Sequence, residues 1–202
     1  MKRFPDAAQE IRQRAVEDGS YYLIPYREVG AFREREALYA ELNSHELCWT
    51  DSPPASLPEF TSLIQRQWAR FAELASRSEE VYVLEAVLFQ HQIHDMLGHY
   101  QASDRLIKEH IRGIADRIAA LNPVLLYLTH PSVREQQIWI SSIRSRPRFA
   151  TESNIRFMEN RKRIELSLLD KLPFPAYIIE NPSLDWDDVM NQMVRTVDQA
   201  YK

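Results

Sequence analysis

Glu85 is the residue whose type and setting most strongly suggest chemistry, because it interrupts an apolar run. Residues 81–89 read VYVLEAVLF, and every other member of the run is Val, Tyr, Leu, Ala or Phe. Burying an isolated carboxylate is costly. We therefore expect Glu85 to pair with a metal ion, a basic side chain or a transferred proton.

The run around Glu85 is too continuous to alternate between an inner and an outer face. Such a pattern is typical of a strand that is covered on both faces, so residues 81–89 are predicted to form the central strand. Gln90, His91, Gln92 and His94 follow directly. Open α/β sheets bind ligands beyond the carboxyl ends of their strands, and these polar side chains are expected at such an end.

A second cluster of chemical interest is basic. Residues 134–163 contain eight basic side chains against three acidic ones, whereas the whole chain has a net charge of -4. Arg144, Arg146 and Arg148 form its densest part. Guanidinium groups match phosphate oxygens, so this segment has the composition of a lid that closes over a polyphosphate. The same composition also suits a solvated helix face that carries ion pairs.

The histidines after the apolar run provide a weaker case for a metal. His91, His94, Asp95 and His99 lie within nine residues. Zinc sites draw ligands with fixed offsets such as i and i+4, and His94 and His99 miss that spacing. No metal site is predicted, and no Ser, His and Asp order supports a hydrolase.

Hydrophobic periodicity predicts the helices and strands that position these residues. Helices are predicted over residues 6–17, 29–42, 57–74, 103–121, 133–143, 152–171 and 186–197, and strands over 81–89, 124–128 and 176–179. The second half thus alternates strand and helix, which predicts a helix-rich α/β fold with a small parallel three-stranded sheet. We expect one domain over residues 1–202, mainly helical over 1–78 and alternating over 79–202, with the basic lid at about 134–163.

Composition limits the class of protein. The chain is 45% hydrophobic and 27% charged, which is ordinary for a globular domain and does not indicate a nucleic-acid binder. The one cysteine, Cys48, is expected to be packed and reduced, which favours a cytoplasmic location. No apolar run approaches the length of a membrane helix, and the N-terminus lacks the apolar segment of a signal peptide.

Several stretches, in their order, resemble a known family. VYVLEAVLFQ, LNPVLLYL, SIRSRPRF, NRKRIELSLLDKL and FPAYIIENPSLDW resemble the later part of a nucleoside- or nucleotide-kinase-like P-loop NTPase. The likeness is to a bacterial group of that superfamily in which YYLIPY also has a counterpart, and it covers roughly residues 15–196. It implies the C-terminal two-thirds of a P-loop kinase-like fold.

The resemblance also implies roles for individual residues. Glu85 would be the catalytic acid that assists Mg²⁺ or the acceptor. Arg144, Arg146 and Arg148 would form the lid, and Asn181 would lie near the nucleotide base. ATP and Mg²⁺ are the cofactors implied. Candidate acceptor-site residues are Tyr26, Arg27 and Gln90.

One essential part of that family is missing. These 202 residues contain no G-x-x-x-x-G-K-[ST], the loop that holds the β and γ phosphates. In relatives its strand lies between the strands equivalent to residues 81–89 and 124–128. Without it, those two strands pair directly or leave unpaired edges that invite another chain. The chain is therefore expected to be a fragment, a degenerate member or half of a two-chain assembly.

Two functions remain open on these observations. The first is a truncated or degenerate NTPase that retains binding of a nucleotide or phosphorylated small molecule but does not transfer phosphate by itself. The second is a non-catalytic protein-interaction or regulatory module on the same scaffold. A homo-oligomer or a second chain that completes the sheet is the expected partner, and neither a nucleic acid nor a membrane is.

Overall fold

A computed structural model describes residues 3–19, 21–47 and 55–201. The chain forms two compact units, Met1–Ser56 and Leu57–Lys202. That both units belong to one domain stays a prediction. Cys48, which was expected to be packed and reduced, lies outside the described residues. No helix in the described part of the chain is both long and apolar enough to span a bilayer.

The first unit packs short helices beside a hairpin. Helix α1 (Ala8–Arg14) leads into strands β1 (Val16–Asp18) and β2 (Tyr21–Leu23), which pair antiparallel. The turn between them uses Gly19 at a φ of 63°, a conformation that glycine adopts without strain. Helices α2 (Gly30–Arg33) and α3 (Glu36–Asn43) follow, where one helix was predicted. The core of this unit comprises Ala7, Ile11, Tyr26, Val29, Phe32 and Leu38.

The second unit begins with two packed amphipathic helices, α4 (Leu57–Ala75) and α6 (Asp104–Ile118). Both were predicted from their apolar stripes, and both predictions are confirmed. Ser103 caps α6 by accepting a hydrogen bond from the Leu106 amide. The fully buried side chains of this helix pair include Phe60, Leu63, Ile107, Ile111 and Ile114.

A two-stranded parallel sheet follows these helices. Strand β3 (Leu125–Thr129) pairs with β4 (Ala176–Glu180) in a register that runs from Leu125↔Ala176 to Thr129↔Glu180. Helices α7 (Val133–Ile143) and α8 (Glu152–Leu169) make the crossover, and α9 (Trp186–Ala200) follows β4. The α/β class and these two strands are confirmed.

The predicted third strand is wrong. Residues 81–85 have no regular secondary structure, and Val81 and Val83 are 90% and 91% exposed. Ala86 then adopts a φ of 63°, which ends the extended backbone, and a turn leads into α5 (Gln90–Gly98). An apolar run indicates only that a segment is hydrophobic, whereas a strand also needs a neighbouring backbone with which to form hydrogen bonds. Among the described residues, no strand pairs with this segment.

Helices cover the two faces of the parallel sheet. The Tyr127 hydroxyl donates to Glu165 of α8 at 2.7 Å. Leu128, the next residue, lines a cavity with Val189 of α9. Because successive side chains of a strand point to opposite faces, α8 and α9 lie on opposite sides of β3.

Candidate functional site

The carboxyl ends of β3 and β4 form the edge at which a ligand site was expected. Thr129 and His130 lie at the end of β3, and Asn181 lies directly after β4. They surround a cavity of about 40 Å³, only slightly more than the ~30 Å³ that one water occupies in the liquid. The cavity is lined by Leu128, Thr129, His130, Gln136, Asn181, Leu184, Trp186 and Val189.

The side chain of Asn181 brings an unsatisfied hydrogen-bond donor to this cavity. Its backbone N–H donates to the Thr129 carbonyl at 2.8 Å, and this bond fixes the chain where it leaves the sheet. The residue is 8% exposed, and its side-chain Nδ2 is buried without an acceptor among the described residues. A buried unsatisfied donor costs roughly 1–3 kcal/mol. A ligand oxygen or ring nitrogen at this position would satisfy it.

A lysine from the basic segment also reaches this edge. Lys162 Nζ donates to the His130 carbonyl at 2.6 Å, and His130 Nδ1 lies 2.8 Å from the Ser132 carbonyl. Ser132 caps α7 by accepting from the Glu135 amide. These bonds fix the loop after β3. Sequence reasoning counted Lys162 among the basic residues but did not place it here.

Beneath the edge, a buried polar network joins β3 to α8. Tyr127 donates to one oxygen of Glu165, and Arg161 Nε lies 3.0 Å from the other. Burial, together with the Glu165 charge, raises the pKa of Tyr127, so its hydroxyl stays protonated as a donor. Arg161 and Glu165 were predicted on one helix, but their pairing with Tyr127 was missed because it links positions distant in sequence.

Two histidines of the second unit have lowered pKa values: His110 is buried, and His94 is half-buried. The His94 ring lies 5.0 Å from that of Phe157, and burial, reinforced by Arg161, lowers the pKa of His94 to about 4. Burial likewise lowers the pKa of His110 to about 4, with Nε2 at 3.4 Å from Gln92 Oε1. Among the described residues, no group of three His, Cys, Asp or Glu side chains is arranged to hold a metal ion.

Glu85 does not lie at a sheet edge. It is exposed, at the end of the irregular segment 81–85, and its charge acts on His91 near the start of α5. Gln90, His91 and Gln92 lie in the first turns of α5 and not beyond a strand end. Glu85 lines neither the cavity at the carboxyl edge nor a second cavity, of about 270 Å³, which lies beside Phe4 and Leu38 in the first unit. Among the described residues, Glu85 belongs to no group of three His, Cys, Asp or Glu side chains that could hold a metal ion.

The three candidate lid arginines are exposed on the connection between α7 and α8. The Arg146 amide donates to the Ser141 carbonyl at 3.1 Å, which tethers the loop to α7. Arg148 lies over the ring of Phe149 at 5.4 Å in the 3-10 turn Pro147–Ala150. The loop is thus positioned by its backbone, and the two described cavities are lined by other residues.

The candidate acceptor residues belong to both units. In the first unit, the Tyr26 hydroxyl donates to Asn43 at 3.0 Å and accepts from Arg27 Nε at 3.0 Å. Arg27 also pairs with Glu46. Tyr26 is buried, and these bonds account for its hydroxyl as a structural group. Gln90 is the first residue of α5 in the second unit.

An apolar surface beside β3 was not predicted as a site. One stripe of α9 remains exposed, although Val189 of the same helix is buried. Trp186, at the start of this stripe, shares the edge cavity with Leu128. The stripe consists of Trp186, Met190, Val194, Val197 and Tyr201, which are 37–64% exposed. The helix that carries them was predicted over residues 186–197, but no site was assigned to its apolar face.

The chain finds no significant match among protein-family models, curated proteins or solved structures.

Proposed function

We propose that this chain is a non-catalytic module, on a scaffold that resembles a P-loop kinase without its phosphate loop, and that it binds another polypeptide. The observation that carries the proposal is the exposed stripe on α9, which accompanies a strand with an open edge. Folded monomers rarely leave large contiguous apolar patches in water, and such patches mark interaction sites.

Burial of the stripe would contribute part of the free energy of a complex. Fully burying one Val, Leu or Met side chain stabilises by roughly 1.5–3 kcal/mol. Since the stripe side chains are already about half covered, five of them would contribute roughly 5 kcal/mol. Association itself costs roughly 4–15 kcal/mol, so the stripe supplies only part of what a stable complex needs. Hydrogen bonds to the open β3 edge and the exposed residues 81–84 are the other available sources.

Two features argue against phosphoryl transfer by this chain. The sequence has no lysine-bearing glycine loop to hold the transferred phosphate. Glu85, the candidate acid, is exposed in an irregular segment. Binding, with no covalent step, is the function that the remaining surfaces support.

Selection of peptides from a random library displayed on phage tests this proposal. Selected peptides are expected to bind the wild-type chain, in fluorescence anisotropy, at least tenfold more tightly than the M190S/V194S variant. The L106S variant, which changes an exposed leucine of α6, serves as the matched control and is expected to bind like wild type. Peptides that bind M190S/V194S as tightly as wild type would refute a site on α9.

A second candidate function is the binding of a nucleotide or phosphorylated metabolite at the carboxyl edge. The buried, unsatisfied Asn181 amide and the neighbouring exposed Trp186 favour it, because an amide donor beside an aromatic ring suits a planar heterocycle. Calorimetry with ATP and Mg²⁺ tests it. Binding that is weakened by N181A and by R146A/R148A, but not by R112A, supports this function. Absence of heat with the wild-type chain contradicts it.

A further inference from the structure

We propose that the cavity at the carboxyl edge of the sheet binds the side-chain carboxamide of a glutamine. The glutamine belongs to the polypeptide that binds the α9 stripe, so the inference rests on the proposed polypeptide-binding function. It goes beyond that function because it assigns the partner one residue type and assigns Asn181 a hydrogen-bonding role toward it.

The first observation is a buried donor that no acceptor satisfies. Asn181 lines the cavity and is 8% exposed. Its Nδ2 has no hydrogen-bond partner among the described residues, although the backbone N–H of the same residue donates to the Thr129 carbonyl. Polar groups buried this deeply are nearly always hydrogen-bonded. An acceptor oxygen from outside the chain would complete the site.

The second observation concerns charge. The described residues that line the cavity include no Asp, Glu, Lys or Arg. Two charged side chains reach neighbouring backbone, and both are engaged there: Lys162 Nζ donates to the carbonyls of His130 and Pro131, and Asp185 accepts from two amides as the cap of α9. Burying a charged group without a charged partner is costly. The acceptor is therefore expected to belong to a neutral group.

A carboxamide also matches the other polar groups of the cavity. Its oxygen needs a donor, which Asn181 Nδ2 supplies, and its NH₂ group needs acceptors. His130 lines the cavity, and because its Nδ1 is engaged with Ser132, Nε2 is the ring nitrogen that remains for a ligand. Gln136 of α7 adds a side-chain oxygen. Both ends of a carboxamide therefore find partners, whereas a carboxylate has no hydrogen to donate.

Size and exposure favour the end of one side chain over a whole metabolite. The cavity has a volume of about 40 Å³, only slightly more than the ~30 Å³ of one water. Its exposed lining is apolar, since Leu128 is 41% and Trp186 57% exposed, whereas Thr129, His130 and Asn181 are buried. A water would satisfy Asn181 but leave the two apolar side chains in solvent. The two methylenes of a glutamine would cover them while its amide meets the buried polar groups.

The cavity is continuous with the α9 stripe, because Trp186 belongs to both. At the other end of the stripe, the Tyr201 hydroxyl donates at 3.3 Å to the carbonyl of Asn122, which precedes β3. The stripe therefore runs from the carboxyl end of the sheet to its amino end. A polypeptide that follows it reaches the cavity only at the Trp186 end. The glutamine is expected at one end of the partner's apolar positions and not between them.

Propionamide, which reproduces the side chain of glutamine, tests the cavity directly. Added to the ¹⁵N-labelled full chain, it is expected to shift the side-chain NH₂ signals of Asn181, identified by triple-resonance assignment. Sodium propionate, the glutamate analogue, and 1-propanol are expected to need at least fivefold higher concentrations for the same shift. Equal responses to the three compounds overturn the carboxamide. No response to propionamide means a bound water only and overturns the site.

The peptides selected for binding to α9 test whether the partner supplies the carboxamide. We expect a glutamine at one end of their apolar positions, and its replacement by glutamate is expected to weaken binding at least fivefold. N181A is expected to remove this difference, whereas N191A, at an exposed asparagine of α9, is expected to preserve it. If N181A does not fold, the propionamide measurement on the wild-type chain decides.

Failure of this inference and failure of the proposed function are distinguishable. Peptides that bind wild type more tightly than M190S/V194S, but show no preference for glutamine, overturn the inference and leave a polypeptide site. Peptides that bind M190S/V194S as tightly as wild type overturn the polypeptide site on α9. A propionamide response in that case assigns the cavity to a free carboxamide, which overturns the partner as its source.

Discussion

The hydroxyl of Tyr127 donates a 2.7 Å hydrogen bond to Glu165 and thereby joins β3 to α8 across a polar network that is buried under the sheet. Arg161 completes the network from one turn earlier in the same helix. A carboxylate that is 5% exposed depends on both partners, because water cannot replace either of them. The network therefore fixes the position of the strand on which the proposed binding edge lies.

Replacing the tyrosine measures this dependence. We expect Y127F to lower the free energy of unfolding by roughly 1–3 kcal/mol, because the Glu165 carboxylate loses its donor while it stays buried. Urea denaturation followed by circular dichroism measures the change. Y177F is the matched control: Tyr177 lies on β4 and is 37% exposed. Equal losses in both variants would mean that the hydroxyl bond contributes nothing specific.

Acid is expected to destabilise the second unit before its carboxylates titrate. His94 and His110 have a pKa of about 4 in the folded chain, against about 6.5 when unfolded. Below pH 6.5 the unfolded chain binds protons that the folded chain does not. Each histidine therefore lowers the free energy of unfolding by about 1.4 kcal/mol per pH unit, down to about pH 4.

Urea titrations at pH 7, 6 and 5 follow this loss. We expect H94L to reduce the slope of stability against pH, because one of the two histidines no longer titrates. H45Q provides the control, since the His45 side chain is 68% exposed. A slope that H94L leaves unchanged would contradict a lowered pKa of the half-buried His94.

The cap of α9 is a third quantitative expectation. Asp185 accepts hydrogen bonds from the amides of Asp187 and Asp188 at 2.9 Å and 3.2 Å. D185A is expected to cost about 1 kcal/mol of unfolding free energy, the usual loss for an N-cap. S183A, a change at a nearby exposed position, is expected to stay within about 0.5 kcal/mol. Thermal unfolding of the wild-type chain, D185A and S183A measures both differences.

Gly113 allows α6 to approach α4 closely. A Cβ at this position would come within 2.8 Å of Gln65 Nε2, the end of a flexible side chain. Alanine favours a helix interior by roughly 1 kcal/mol over glycine, and displacement of Gln65 offsets that gain in G113A. In the Q65A background the same change is expected to stabilise the chain. A double-mutant cycle by urea unfolding measures the coupling between the two positions.

Periodicity predicted the elements whose apolar faces find a partner. The stripes of α4 and α6 and the short runs of β3 and β4 are confirmed, because side chains on one face determine their burial. Residues 81–89 show where this reasoning fails. Their hydrophobicity matches a buried strand, but pairing depends on a second backbone that no local pattern reveals.

The site was predicted only in outline. Asn181 was named only through the resemblance, as a residue near the nucleotide base, and the structure places it directly after β4; its role stays a prediction. The partners of Tyr127 and the contact between Lys162 and His130 involve residues more than thirty positions apart, so sequence spacing gave no signal for them. The α9 stripe was visible as a pattern, but whether an apolar face is covered is decided by tertiary packing.

The order of elements along the chain bears on how the sheet is made. During synthesis β3 emerges after α4, α5 and α6, whereas β4 follows two helices later. Closing so long a loop is entropically costly, so parallel pairing of this kind is slow. Until β4 has been made and has paired, both edges of β3 are open in a newly made chain. A polypeptide that binds at this stage would find hydrogen-bonding groups on both sides of the strand.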